Sequence, residues 1–174
     1  MTGPTVIENI WAGWRSEYLA DPERRSPDPS GRSVFRRIIE SGENDESSHI
    51  VHRSSTCFVI LNRFPYAAGH LLVVPYRQEP DLVSLTSDES VDLWTTATLS
   101  VRALEAEYRP AGLNIGVNLG AAAGGSVRDH VHIHVVPRWI GDANFLVATA
   151  NTKAIPEPLD ITARRLTAAF RRLT

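Results

Sequence analysis

Apolar positions along this chain recur with two different periods, and the change from one to the other marks out its elements. In IENIWAGWRSEYLA, residues 7–20, Ile7, Ile10, Trp11, Trp14, Tyr18 and Leu19 fall at helical spacing, which predicts a short amphipathic helix with packed aromatics. The DPERRSPDPSGRS that follows is rich in Pro, Ser and charge and reads as a linker. SVFRRIIESG predicts a second short helix ending at Gly42, and ENDESS a polar loop. From His49 the pattern is that of strands: HIVHRSS, TCFVILN and HLLVVPYR, the last two joined through Pro65 and Gly69 as an antiparallel pair.

LTSDESVDLWTTATLSVRALEAEY is the clearest helix. Ser87 or Thr86 caps it, Asp88 and Glu89 complement the dipole of its first turn, and Leu93, Trp94, Ala97, Val101 and Leu104 share a face. Pro110 and Gly112 end it. A strand LNIGVNL, a small-residue loop GAAAGGS and the apolar strand HVHIHVVPRW come next. A last helix is predicted in TARRLTAAFRRLT, with Leu166, Ala169, Phe170 and Leu173 in register. Consecutive strands, one long inserted helix and one closing helix make the class α+β, with a mainly antiparallel sheet.

The length of 174 residues supports one core and is short for two ordinary domains. Residues 1–32 therefore read as an N-terminal extension with a short helix and linker, and 33–174 as one domain with a C-terminal helix. A net charge of -2 argues against a general nucleic-acid binder, yet leaves room for a small phosphorylated ligand held by a few donors. No apolar run approaches the roughly 18 residues of a membrane span, and the N-terminus does not resemble a secretory signal. A cytoplasmic protein without membrane partners is the expectation. The single Cys57, inside CFVIL, excludes an intramolecular disulfide and reads as a small buried hydrophobe.

Candidate chemistry concentrates in HVHIHVVPRW. Side chains alternate across a strand, so His130, His132 and His134 share one face while Val131, Ile133 and Val135 face the core. A shared metal fits poorly: alternate residues are about 6.7 Å apart along a strand and the outer two about 13 Å, whereas a zinc sits roughly 6 Å from the Cα of its histidine. Incidental histidines are an equally weak account of three in register beside a Gly-rich loop. Nucleophilic catalysis fits better, because a neutral imidazole attacks phosphorus well when its second nitrogen is held by an acceptor. Neighbouring histidines can orient it, and the loop GAAAGGSVRD supplies backbone N–H groups and a hydroxyl for phosphate oxygens. His49 and His52 lie outside this stretch and read as surface or strand positions.

HVHIHVVPRW resembles the His-x-His-x-His signature of the histidine triad superfamily of nucleotide hydrolases and transferases. FVILNRFPYAAGHLLVVP is similar to that superfamily's Asn-x-x-Pro-x-x-x-Gly-His segment, with Asn62, Pro65, Gly69 and His70 in place. The resemblance spans roughly residues 33–139, and the continuation through Trp139 and GDANF looks most like the branch of actinobacterial-type diadenosine tetraphosphate phosphorylases. It implies an α+β fold with a five-stranded antiparallel sheet and a long packed helix. It also implies a homodimer, with assembly to a homotetramer left open.

By the same resemblance His132 would take an adenylyl group, with His130 and His134 orienting it and contacting phosphate or leaving group. Asn118, Gly125 and Ser126 would hold phosphates, Asn62 would sit by the ribose, and Trp139 would belong to the site or, as a strand-end aromatic, pack on the dimer partner. The partners implied are an adenine dinucleoside polyphosphate and inorganic phosphate. No tightly bound cofactor is implied, and a divalent cation accompanying the nucleotide is left open. Many relatives carry Cys-x-x-Cys where this chain has Ser33 and Arg36, so no structural zinc is expected there. One residue more than in the small hydrolases separates the GGS loop from the triad, which sets the position of Ser126 apart from theirs. Hydrolysis or phosphoramidase chemistry on the same scaffold is the alternative activity, and a nucleotide-binding protein without catalysis the alternative class.

Overall fold

The computed structural model describes residues 30–125, 127–142 and 157–174. The predicted helix over 7–20, most of its linker, Ser126 and the end of GDANF lie outside the described residues. All of the described residues belong to one unit, 27–142 with 154–174.

Helix α1 (Val34–Glu40) precedes three strands, β1 (Ile50–Arg53), β2 (Cys57–Leu61) and β3 (Leu71–Pro75). The long helix α2 (Ser87–Tyr108), strands β4 (Gly112–Val117) and β5 (Ile133–Arg138), and helix α3 (Leu159–Leu173) complete the order. The five strands form one sheet in the order β1-β2-β3-β5-β4, every pair antiparallel. This is the five-stranded α+β arrangement expected. The β2–β3 pair is in perfect register from Cys57 opposite Pro75 to Leu61 opposite Leu71.

Alternation sorts each strand onto two faces. Val59, Leu61, Leu71, Val73, Ile133 and Val135 pack against Leu93, Ala97 and Leu104 of α2 and Leu166 and Phe170 of α3. Each such fully buried side chain contributes about 1.5–3 kcal/mol by leaving water. Phe58, Ile60, Leu72 and Val74 point the other way, toward Phe35, Ile38 and Ile39 of α1. A helix of seven residues has no stability of its own in water, so α1 exists because this face buries it.

Thr86, not Ser87, caps α2: its hydroxyl accepts from Glu89 N–H at 3.2 Å while the Glu89 carboxylate accepts from Thr86 N–H at 2.8 Å. The buried face of α2 is Leu93, Thr96, Ala97, Ser100, Ala103 and Leu104. Trp94, placed on that face by the sequence pattern, is 48% exposed. The stripe runs from Leu93 through its third, fourth and seventh neighbours, which turns the adjacent Trp94 about 100° away. Leu173 at the end of α3 is likewise exposed.

Candidate active site

The site is built where β3 and β5 lie side by side, with His134 opposite Leu72 of β3 and Gly116 of β4. The turn entering β3 delivers a fourth histidine beneath the triad. Gly69 adopts φ +78°, and a Cβ there would come within 3.0 Å of Leu104, so only glycine lets the turn lie this close to α2. His70 follows it, fully buried.

Proton positions around these rings follow from their partners. His70 Nδ1 accepts from Tyr66 N–H at 3.1 Å, so its proton is on Nε2, which donates to His134 Nδ1 at 3.0 Å. With that bond His134 carries its own proton on Nε2, 3.3 Å from Asn118 Nδ2, and the two donors pair only when the Asn118 amide turns to present Oδ1. The Tyr66 ring lies nearly parallel to that of His134, 6.0 Å away.

His132 is held differently. Its Nδ1–H donates to the main-chain carbonyl of His130 at 2.9 Å, which leaves the lone pair on Nε2. Burial pushes its pKa below the ordinary histidine value, and the bond to the carbonyl opposes this only in part. A neutral ring with an available Nε2 lone pair is the reactive form of an imidazole nucleophile.

His130 is completely buried. Its Nε2–H donates to the Pro75 carbonyl at 2.8 Å, and its Nδ1 accepts from the Ser33 hydroxyl at 2.6 Å. Burial lowers its pKa as well, against a smaller raising effect of the Pro75 bond. Both ring nitrogens are spent inside the protein, so the contact with phosphate or leaving group expected of His130 has no nitrogen left to make it. Its main-chain carbonyl is the acceptor for His132 Nδ1–H. Phe35 of α1 closes the gap with its ring edge-on to His130 at 5.5 Å and to His132 at 5.1 Å.

Of the other residues expected here, Asn62 is bonded to the histidine set, with Nδ2 donating to His70 Nδ1 at 3.3 Å and Oδ1 accepting from Phe64 N–H at 3.0 Å. Gly125 packs on Asn118, where a Cβ would stand 3.2 Å from the Asn118 Cβ. A side chain at 125 would thus press on the amide that faces His134. Ser126 lies outside the described residues. Trp139 follows β5 and sets its ring edge-on to Tyr108, at the C-terminal end of α2, 6.4 Å away. Within the chain that contact is with Tyr108 and not with a triad histidine.

The HIT domain family model matches residues 43–139, more than half of the chain. The chain belongs to the HIT domain family. It is 40% identical to the AP-4-A phosphorylase of Mycobacterium tuberculosis over 169 residues, which cover 95% of this chain and 86% of that protein. A second relative is the asymmetrical bis(5'-nucleosyl)-tetraphosphatase of Schizosaccharomyces pombe, 35% identical over 95 residues, 55% of this chain and 52% of that one. Among solved structures, a Zn-bound histidine triad family protein from Mycobacterium smegmatis superposes with a TM-score of 0.67 at 27% identity, covering 83% of this chain and 96% of that one.

Two residues of this HIT domain's site were missed by sequence reasoning. His70 was noted as part of a motif without a role, yet it sets the proton position of His134. Its signal was present in the Gly-His pair that follows the Asn62 turn. Ser33 was noted only as a replaced cysteine, and its bond to His130 spans 97 positions of sequence, a separation that local spacing does not reveal. Arg36, at the other replaced position, donates to Glu40 at 2.5 Å and to the Tyr76 carbonyl at 3.2 Å.

Proposed function

We propose that this HIT domain protein cleaves diadenosine tetraphosphate by phosphorolysis through an adenylyl-histidine intermediate. The reading is carried by the proton order at His132, neutral with Nδ1–H tied to a carbonyl and the lone pair on Nε2. The 40% identity to a phosphorylase over nearly the whole chain supports phosphate as the second nucleophile. His132 Nε2 attacks the α-phosphorus, the bond from that phosphorus to its bridging oxygen breaks, and ATP leaves. Phosphate oxygen then attacks the same phosphorus, the P–N bond breaks, its electron pair returns to Nε2, and ADP is released. His134, as an Nε2–H donor, stabilises charge on the phosphoryl or leaving oxygen. Asn118, Gly125 and Ser126 cradle the phosphates, Asn62 lies by the ribose, and Trp139 is reserved for the rim. No residue is assigned to a metal.

Incubation with diadenosine tetraphosphate and isotopically labelled phosphate, with products separated by chromatography, tests the reading. Equal ADP and ATP are expected, with the label in the β-phosphate of ADP. AMP and ATP formed at a rate indifferent to phosphate would replace phosphorolysis by hydrolysis, the activity named for the Schizosaccharomyces pombe relative. We further propose a homodimer, with a homotetramer left open. Strand β4 is an edge of the sheet, and Ile115 on it and Trp94 on α2 are large exposed apolar side chains of the sort that a second subunit covers. A monomer mass in sedimentation equilibrium would remove that proposal.

A further inference from the structure

His130 has one neutral form that satisfies both of its neighbours: the Pro75 carbonyl requires the proton on Nε2, and Ser33 supplies the matching donor to Nδ1. As N-cap of α1 the Ser33 hydroxyl accepts from Arg36 N–H at 3.1 Å. Its own proton is left to donate, and His130 Nδ1 is the acceptor at 2.6 Å. On the far side of the ring stands the Pro75 carbonyl, which can only accept, at 2.8 Å. The two contacts agree on the Nε2–H tautomer. Ser33 is 3% exposed and is itself pinned from β3's exit: Gln78 Oε1 accepts from Ser33 N–H at 2.8 Å. The Gln78 amide nitrogen donates to the Gly31 carbonyl at 3.0 Å and to the carboxylate of Asp129, the residue before His130, at 3.3 Å. The helix cap, the strand exit and the triad are thereby one bonded unit.

We propose that Ser33 is a positioning residue for the reaction: its hydroxyl, held by the α1 cap and the Gln78 bridge, satisfies Nδ1 of the His130 tautomer that Pro75 demands and holds the ring plane, and through the His130 carbonyl the aim of His132 Nε2. This rests on the adenylyl-transfer reading above. Ser33 touches no substrate. It acts by leaving His130 no alternative arrangement, so that the carbonyl receiving His132 Nδ1–H stays where the nucleophile needs it. The charged and titratable groups facing His130 are Asp129 next to it, Arg36 from α1 and His132 along the chain. The donor from Ser33 favours the neutral ring, so its removal makes His130 easier to protonate.

Ser33→Gly separates this role from capping, because glycine is nearly as good an N-cap as serine but has no hydroxyl. Imidazole nitrogen NMR on the full chain without substrate should show His130 as a single Nε2–H tautomer and His132 as Nδ1–H. In Ser33→Gly the His130 Nδ1 resonance should move as its hydrogen bond is lost, with the proton kept on Nε2 by Pro75. Its kcat for phosphorolysis should fall about 10-fold with KM within about 2-fold, and the acid limb of its pH profile should move to higher pH. Ser33→Thr, which keeps the hydroxyl, should restore all three. Unchanged His130 nitrogen resonances and kcat in a folded Ser33→Gly protein, or a Ser33→Thr protein as impaired as Ser33→Gly, would overturn the proposal. Should Ser33→Gly not fold, Gln78→Ala releases Ser33 N–H and leaves the cap hydroxyl. A smaller kcat loss in the same direction supports the proposal, and unchanged His130 nitrogen resonances and kcat overturn it. The tautomers are read in the absence of turnover, so a wild-type protein that yields no ADP refutes phosphorolysis while the His130 spectra still judge Ser33.

Discussion

His132 is a base that burial keeps from its proton. An imidazole in water is half protonated near pH 6.5, and the environment of His132 holds it below that value. The proposed nucleophile is therefore already neutral at neutral pH, and activity should decline on acidification only below about pH 6.5. Initial rates measured from about pH 8 down to about pH 5 check this, and an inflection above 6.5 would assign the limit to another group. Replacing His132 by Ala should lower turnover by about 10,000-fold, as loss of a nucleophile does. Thermal unfolding should move by only a few degrees, since the imidazole ring fills a site edged by Phe35 rather than the main core. Chromatographic assay together with calorimetry separates the two effects. His134 behaves differently at the same scale, because its proton position is set by His70 and not by a carbonyl.

At the level of elements, Asp92 ties the long helix to the β1–β2 turn. Its carboxylate accepts from the Ser54 hydroxyl at 2.5 Å, Thr56 N–H at 2.8 Å and the Thr56 hydroxyl at 2.7 Å. Burial alone would raise its pKa, but these donors outweigh burial and hold it below the ordinary value. Asp92→Ala should destabilise the fold by about 2 kcal/mol, leaving three donors of the turn without their acceptor, while the distant triad keeps its activity. A urea titration with an activity assay on the same samples reads both quantities. The strands and helices themselves were legible because alternation and helical spacing are local: β2, β3, α2 and α3 appear where their apolar periods put them. The exit of α2 needed the structure, since Arg109 closes it with a left-handed φ of 46° just before Pro110. Trp94 misled because a broad apolar stripe does not say which neighbour the helix turns inward. Of the three histidines that alternation placed on one strand, only His134 lies in β5, which begins at Ile133, while His130 and His132 precede it, and Ser33 and His70 reach them through contacts that only the fold creates.

Across the whole molecule, two helices on one sheet face are locked to each other by charge as well as by packing. Arg165 of α3 donates to Glu107 at 2.9 Å and to Glu157 at 2.5 Å, and its guanidinium lies 4.3 Å over the Tyr108 ring. Acid should weaken the assembled fold before it affects these carboxylates. His52, His130 and His132 all have pKa values lowered chiefly by burial. Below about pH 6.5 the unfolded chain takes up protons that the folded protein refuses, so stability present above that pH is lost as the pH falls. Urea midpoints at a series of pH values should decrease steadily in that range, and a constant midpoint would show that these rings are no drier than in the unfolded chain. The division of the sheet into two faces carries a further consequence for β5. Ile133 and Val135 have no exposed surface and hold α2 and α3, while His132, just before the strand, and His134 on its other face are the positions proposed for the chemistry. In a library of every substitution along this strand, survival of the fold and survival of turnover would trace opposite zigzags, each tolerant where the other is strict. Selection on abundance alone would therefore let the histidines drift and keep the aliphatics, giving a stable sheet that has forgotten its reaction.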